Sequence, residues 1–226
     1  MPRATTASTR PISRLALGEE TRAALIDAAT AIFIEQGLRA ARVDDIARRA
    51  GQRLSAISYH FGGKENLYLA VLGHHAELAL ANAPLHDPDP AAPLRQRFGF
   101  AVQAIVTRVL GQAGGSQIGP LMLREMVSPT PALQMLIERF MLPQAGQLRA
   151  LLTEALGADV ETEQLSRVLV SVFGQCVVYV TARPAISRLM PELYAGDALV
   201  ERIANHVAAF SWAGIQALRE TIGENR

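Results

Sequence analysis

From Glu19 onward the apolar residues of this 226-residue chain return every three or four positions, and nowhere do they alternate. That period matches a helix of about 3.6 residues per turn, whereas a half-buried strand would alternate strictly. Glycine and proline cut the pattern into pieces of helical length. The first carries Leu25, Ile26, Ala29, Ile32 and Phe33 and stops at Gly37; the second covers Val43 to Ala50 and stops at Gly51. A third, over 55–61, places Ala56, Ile57 and Phe61 inward. A fourth runs from Lys64 to about Ala83, with Leu67, Val71, one of His74 and His75, and Leu78 on its inner face. After the proline-rich NAPLHDPDPAAP (82–93), helices are expected over 94–111, 117–127, 131–156, 161–182 and 197–221. The expected fold class is therefore all-α, with about nine helices.

Half the residues are apolar and 19% are charged, enough for a substantial core and too apolar for a disordered chain. Cys176 is the only cysteine, which excludes an internal disulfide and suits a reducing cytoplasm. The first 18 residues are polar and basic, without the apolar centre of a signal peptide, and are expected to form a flexible arm. The most apolar run, Val168 to Val180, has 13 residues, short of the roughly 20 that span a bilayer, so no membrane partner is expected. Charge is uneven: residues 1–64 hold ten Lys/Arg against six Asp/Glu, which marks the end that would face a polyanion.

A short helix, Gly51, a brief turn and a second short helix make a helix-turn-helix. In that motif the second helix enters the DNA major groove and its outward side chains meet base edges. Outward positions here are Ser55, Ser58, Tyr59 and Leu54, mostly small or hydroxyl-bearing. Just beyond lies Lys64, the only lysine of the chain, opening a helix after Gly62-Gly63. A compact ammonium at a helix N-terminus suits a phosphate contact.

The stretch ALIDAATAIFIEQGLRAARVDDIARRAGQRLSAISYHFGGKENLYLAVL resembles the DNA-binding domain of TetR-type transcriptional repressors. The resemblance rests on AA…F…G in the first helix, V..IA..AG in the second and YHFG.KE.L after the third. AISYHFGGKENLYLAV together with LMLREMVSPTPAL is similar to a CecR/YbiH-like subgroup. The resemblance implies phosphate contacts from Tyr59, His60 and Lys64. Ala41-Arg42 stands where many relatives carry a Ser or Thr cap, leaving Arg42 to contact phosphate by charge, and Gly51-Gln52-Arg53 replaces the usual G-V-S turn. The candidate DNA contacts are thus Arg42, Arg53, Ser55, Ala56, Ser58, Tyr59, His60 and Lys64. Arg48 and Arg49 read as a solvated face.

The resemblance divides the chain into the arm, a DNA-binding domain over 19–64 and an effector-binding and dimerisation domain over 65–226. It implies a homodimer on a palindromic operator in double-stranded DNA, closed by a four-helix bundle of the last two long helices, and a small-molecule effector that releases the DNA. Helix 161–182 is apolar nearly all round, and helix 197–221 has an apolar face of Val200, Ile203, Val207, Phe210, Ile215 and Leu218, so both demand cover. Candidate effector contacts are Met122, Arg124, Met126, Phe140, Phe173, Cys176 and Tyr179, with Arg124 as the polar fixing group.

Enzyme chemistry finds little support. Adjacent His74 and His75 point about 100° apart on a helix and cannot clamp one metal. His60, His86 and His206 have no ligand spacing, and no P-loop, GxSxG or carboxylate pair is present. No cofactor is expected. A helical module that binds peptides or protein partners is the other reading.

Overall fold

The computed structural model describes residues 14–86, 89–111 and 115–224, and every regular element among them is helical. Two compact units divide between Val71 and Leu72, inside the helix α4.

The first unit contains α1 (Arg14–Ala40), α2 (Val43–Arg49), α3 (Leu54–Phe61) and the beginning of α4 (Lys64–Asn82). Helix α1 starts earlier than its apolar pattern, so residues 14–18, expected in the arm, are helical; the rest of that arm lies outside the described residues. Gly37 breaks α1 with φ 77° and ψ 170°, at the expected stop. The core joins Leu25, Ile26, Ala29 and Phe33 of α1 to Ile46 of α2, Ile57 of α3, and Leu67 and Tyr68 of α4. Phe33 and Tyr68 meet edge to face, with ring centroids 4.8 Å apart. Of the three positions expected inside α3, only Ile57 is buried. Phe61 is half-buried beneath the guanidinium of Arg22, 5.4 Å from its ring centroid.

The second unit holds the remainder of α4 with α5 (Leu94–Leu110), α6 (Ile118–Val127), α7 (Ala132–Leu136), α8 (Leu142–Leu156), α9 (Thr162–Thr181), α10 (Arg183–Leu189) and α11 (Leu199–Glu224). Helices α7 and α8 form one rod through a π-turn at Ile137–Met141, within the single helix expected over 131–156. Pro143 accounts for the widening: it has no N–H to give, and its ring crowds the carbonyl four residues back, inside that turn. Helix α10 was expected as loop. Pro184 falls in its first turn, where the missing N–H costs nothing, so the proline there starts a helix instead of stopping one.

Helix α5 is the centre of this unit, packing against α6, α8, α9 and α11 with Phe98, Ala101, Val102, Ile105 and Val106 buried. Leu148 and Leu152 of α8, Val168 and Val172 of α9, and Ile203 and Val207 of α11 close round it. Of the apolar face expected on α11, Ile203, Val207 and Ile215 are buried in a line with Ser211 at four-residue steps, while Phe210 lies off that line and is 66% exposed. Helix α9 is long and apolar enough to cross a membrane by length and composition, the one such helix among the described residues, yet only 22% of that apolar window is buried.

Truncating Phe33, which is fully buried against Tyr68, should destabilise the first unit by roughly 3–5 kcal/mol. Urea denaturation of Phe33→Ala followed by far-UV circular dichroism measures the loss.

Candidate nucleic-acid interface and internal cavity

Backbone geometry presents α3. Ala50 ends α2, Gly51 turns the chain with φ 64°, and the Gln52 amide donates to the Ala47 carbonyl at 2.9 Å. Gly62 then caps α3 in the left-handed region at φ 75°, its amide donating to the Ser58 carbonyl. L-residues with a Cβ resist that region, so glycine lets both helices stop within one residue. Neither α2 nor α3 has a side-chain N-cap, in keeping with Arg42 and Arg53 at those positions.

Arg42, Arg53, Ser55, Ser58 and Tyr59 are exposed, and Ala56 and His60 are half-buried. Tyr59 is 85% exposed, which removes it from the core and leaves a whole phenol ring on the outer face of α3 beside the His60 ring, 5.0 Å between centroids. Arg48 pairs with Asp45 at 2.6 Å and Arg49 faces Glu35 at 3.9 Å, so both belong to the solvated face that the sequence suggested. Lys64 has a second engagement that sequence reasoning missed. Its Nζ donates to the carbonyls of Ala41 at 3.1 Å and Arg39 at 3.3 Å, tying the start of α4 to the end of α1. An ammonium has three donors, and these carbonyls take two.

The second unit holds a partly open cavity of about 570 Å³ between α5, α6, α8, α9 and the π-turn, with exposed Met126, Val170 and Val178 on its rim. That volume falls in the range of about 300–1,000 Å³ typical of small-molecule sites. Met122, Met126, Phe140 and Phe173, four of the candidate effector contacts, line it. Arg124, Cys176 and Tyr179 do not. Arg124 lies two positions from Met122, about 200° round α6. Cys176 continues the Leu165–Val168–Val172 line that faces the core, while Phe173 and Val177 occupy the cavity side of α9. Tyr179 contributes its carbonyl to the Tyr194 hydroxyl at 2.7 Å. Glu125 is buried and accepts hydrogen bonds from the Thr130 amide and hydroxyl, which fastens the turn after α6.

The polar side chains that do line the cavity are Arg108, Gln144 and Thr181, of which Arg108 alone is charged. Arg108 is 4% exposed, and burial pulls its guanidinium down to about 10, still charged at neutral pH. Because the folded-state value lies below the unfolded one, this charge opposes folding throughout the range below about pH 10, and the penalty fades only as pH rises beyond it. No motif pointed to it: an arginine near the end of an apolar helix reads as solvated.

Two family profiles match the chain. One, described as "Bacterial regulatory proteins, tetR family", covers residues 25–71, and the other, the C-terminal domain of the HTH-type transcriptional dual regulator CecR, covers 94–215. The dual regulator CecR of Shigella flexneri is 34% identical over 153 residues, 63% of this chain and 67% of that protein. The transcriptional activator FasR of Mycolicibacterium smegmatis is 42% identical over 86 residues, 38% of this chain and 39% of its own length. Among solved structures, AibR in complex with isovaleryl coenzyme A and operator DNA superposes with TM-score 0.63 at 16% identity, covering 84% of this chain and 97% of that one. A TetR-like regulator from Rhodococcus sp. RHA1 gives 0.61 at 17% identity, over 86% of this chain and 95% of the other. The chain belongs to the TetR family of DNA-binding transcriptional regulators, with a CecR-type C-terminal domain.

Burial also sets the reactivity of the one cysteine. Cys176 is wholly buried and its thiol is pushed up to about 12, so no reactive thiolate forms near neutrality. A thiol-disulfide reagent at pH 8 should leave the native protein unmodified and label one equivalent after denaturation. Stoichiometric labelling of the native protein would contradict this burial.

Proposed function

We propose that the chain is a homodimeric, cytoplasmic repressor that holds a palindromic operator through its helix-turn-helix and releases it when a small molecule fills the cavity of the second unit. The observation that carries this reading is the pairing, in one chain, of an outward-facing α3 with a chamber of small-molecule size. The relatives support either direction of control, since their names include an activator, repressors and a dual regulator. Release by a ligand requires that the ligand prefer a conformation whose recognition helices no longer match the half-site spacing. Linkage then makes operator DNA weaken the ligand by the same factor, typically 5–150-fold. Helix α4 contributes residues to both units and is the proposed mechanical link. A gel shift with the DNA upstream of its own gene, titrated with cavity ligands, tests the whole reading; cavity ligands that leave operator affinity unchanged would remove the sensor role.

In the interface reading Tyr59, His60 and Lys64 meet phosphates, Arg42 and Arg53 add charge beside them, and Ser55, Ala56 and Ser58 approach the bases. Lys64→Ala should lower the slope of log K against log salt by about 0.9 per subunit. It should also cost the first unit ~1 kcal/mol from the two lost carbonyl bonds. Tyr59→Ala should weaken DNA binding without touching the melting temperature, because the ring is almost wholly exposed. A Lys64 variant that lost stability yet kept its salt slope would leave that lysine as a tie only.

Assembly is read from α9 and α11. Gly174 and Val178 of α9, with His206, Phe210, Ala213, Gly214 and Ala217 of α11, are exposed and carry no formal charge when the histidine is neutral. A second copy is the proposed cover. Phe210→Glu should then give a folded monomer by sedimentation, whereas Val207→Glu, 1% exposed, should unfold the unit by burying a charge. Wild-type protein that sediments as a monomer at micromolar concentration would sink the dimer.

A further inference from the structure

The cavity of the second unit contains an unbalanced charge. Arg108 donates through Nε to the Ala83 carbonyl at 2.7 Å and through Nη1 to Oε1 of Gln144, whose own amide nitrogen donates to the Phe140 carbonyl. Both of its partners are neutral. Among the described residues no carboxylate lies within 4.0 Å of this guanidinium, although Arg97 on the same helix pairs with Glu154 at 2.5 Å. A guanidinium presents five N–H donors in a planar fork, and the two neutral partners occupy two. Beyond Arg108, Gln144 and Thr181, the cavity wall is made of aliphatic, aromatic and thioether groups. A cation taken out of water without a counter-charge is costly, and replacing it with a hydrophobe would be the more stable choice. That cost is offset when a ligand brings the counter-charge.

We propose that the cavity takes an amphiphilic anion, with a carboxylate head on the Arg108 guanidinium and an uncharged apolar body along Met122, Phe140, Leu148 and Phe173. The proposal rests on the effector reading above and names its ligand class. Carboxylate and guanidinium match as two parallel charge-assisted bonds, the geometry that most sharply separates an acid from its neutral analogue. Flexible methionines along the wall tolerate different apolar bodies, so the head supplies the selectivity. An amine head would meet a like charge and be rejected. The same guanidinium holds the Ala83 carbonyl immediately after α4, so an anion that draws it into the chamber competes with a bond at the end of that helix.

Calorimetric titration of the full-length protein with three ten-carbon probes below their micellar concentrations tests this: decanoate, 1-decanol and decyltrimethylammonium. Decanoate should bind at least about tenfold more tightly than decanol, and the cation should not bind. Arg108→Met should reduce decanoate to the affinity of decanol. Gln144→Glu is a second variant, independent of whether the first one folds. It sets a carboxylate beside Arg108 and should weaken decanoate at least about tenfold while leaving decanol unchanged. Equal binding of acid and alcohol by the wild type, tighter binding of the cation, no binding by any probe, or an acid preference that survives both variants would overturn the anion site. The sensor reading fails separately: selective decanoate binding that leaves operator affinity unchanged supports the anion site and removes the switch.

Discussion

Three polar ties hold α4, and much of the molecule is organised by them. At its start, the Lys64 ammonium reaches the carbonyls of Arg39 and Ala41. In its middle, His75 is buried; its Nδ1 accepts the Gln117 amide and its carbonyl accepts the Ser116 hydroxyl, which in turn accepts the Ile118 amide. Past its end, the Ala83 carbonyl accepts from Arg108. The first tie lies in one unit and the other two in the second. Each satisfies backbone groups that a helix terminus or a loop would otherwise leave unpaired. The start of α6 in particular has no side-chain cap of its own and depends on this histidine and serine. Since α6 supplies Met122 and Met126 to the cavity, the position of that wall is referred back to α4.

Two local features place the walls of the cavity. The π-turn holds Phe140 and Met141 at a fixed place on the α7–α8 rod, and Gly119 lets α6 pass close to the backbone of α5. A Cβ at Gly119 would sit 2.5 Å from the Val109 carbonyl oxygen, far inside contact distance. The buried guanidinium then keeps the space from being merely greasy. Its burial opposes folding, and perturbed charges of this kind cluster at functional sites. The exposed, uncharged stripe on α9 and α11 adjoins that cavity, since Gly174 and Val178 belong to both, and Phe210 projects from its α11 side.

Much was legible in the sequence before any coordinates. Helical period, the glycine stops at Gly37, Gly51 and Gly62, and the inward Ile46 and Ile57 are local properties, set by backbone sterics and by the 3.6-residue repeat. The helix-turn-helix and the outward placement of Ser55, Ser58 and Tyr59 follow from the same rules. Local rules fail where one face of a helix must choose among several neighbours. Helix α9 is apolar on most of its circumference, so the sequence could not say that Cys176 turns to the core while Phe173 turns to the cavity. The same ambiguity left open which residues of the apolar face of α11 turn to the core of their own chain, as Val207 does, and which stay outside it, as Phe210 does.

What the amino-acid sequence determined by itself is therefore the helical class, the order of the elements and the DNA-facing motif, because each depends on residues within a few turns of one another. Tertiary structure alone decided the rest. The ties from Lys64 and Arg108 to backbone carbonyls span 23 to 25 residues, and the Arg108–Gln144 bond joins helices 36 residues apart. No local pattern encodes such pairings. They exist because packing brings a long cationic side chain, with donors to satisfy, beside backbone carbonyls, exposed or half-buried at Lys64 and buried at Arg108.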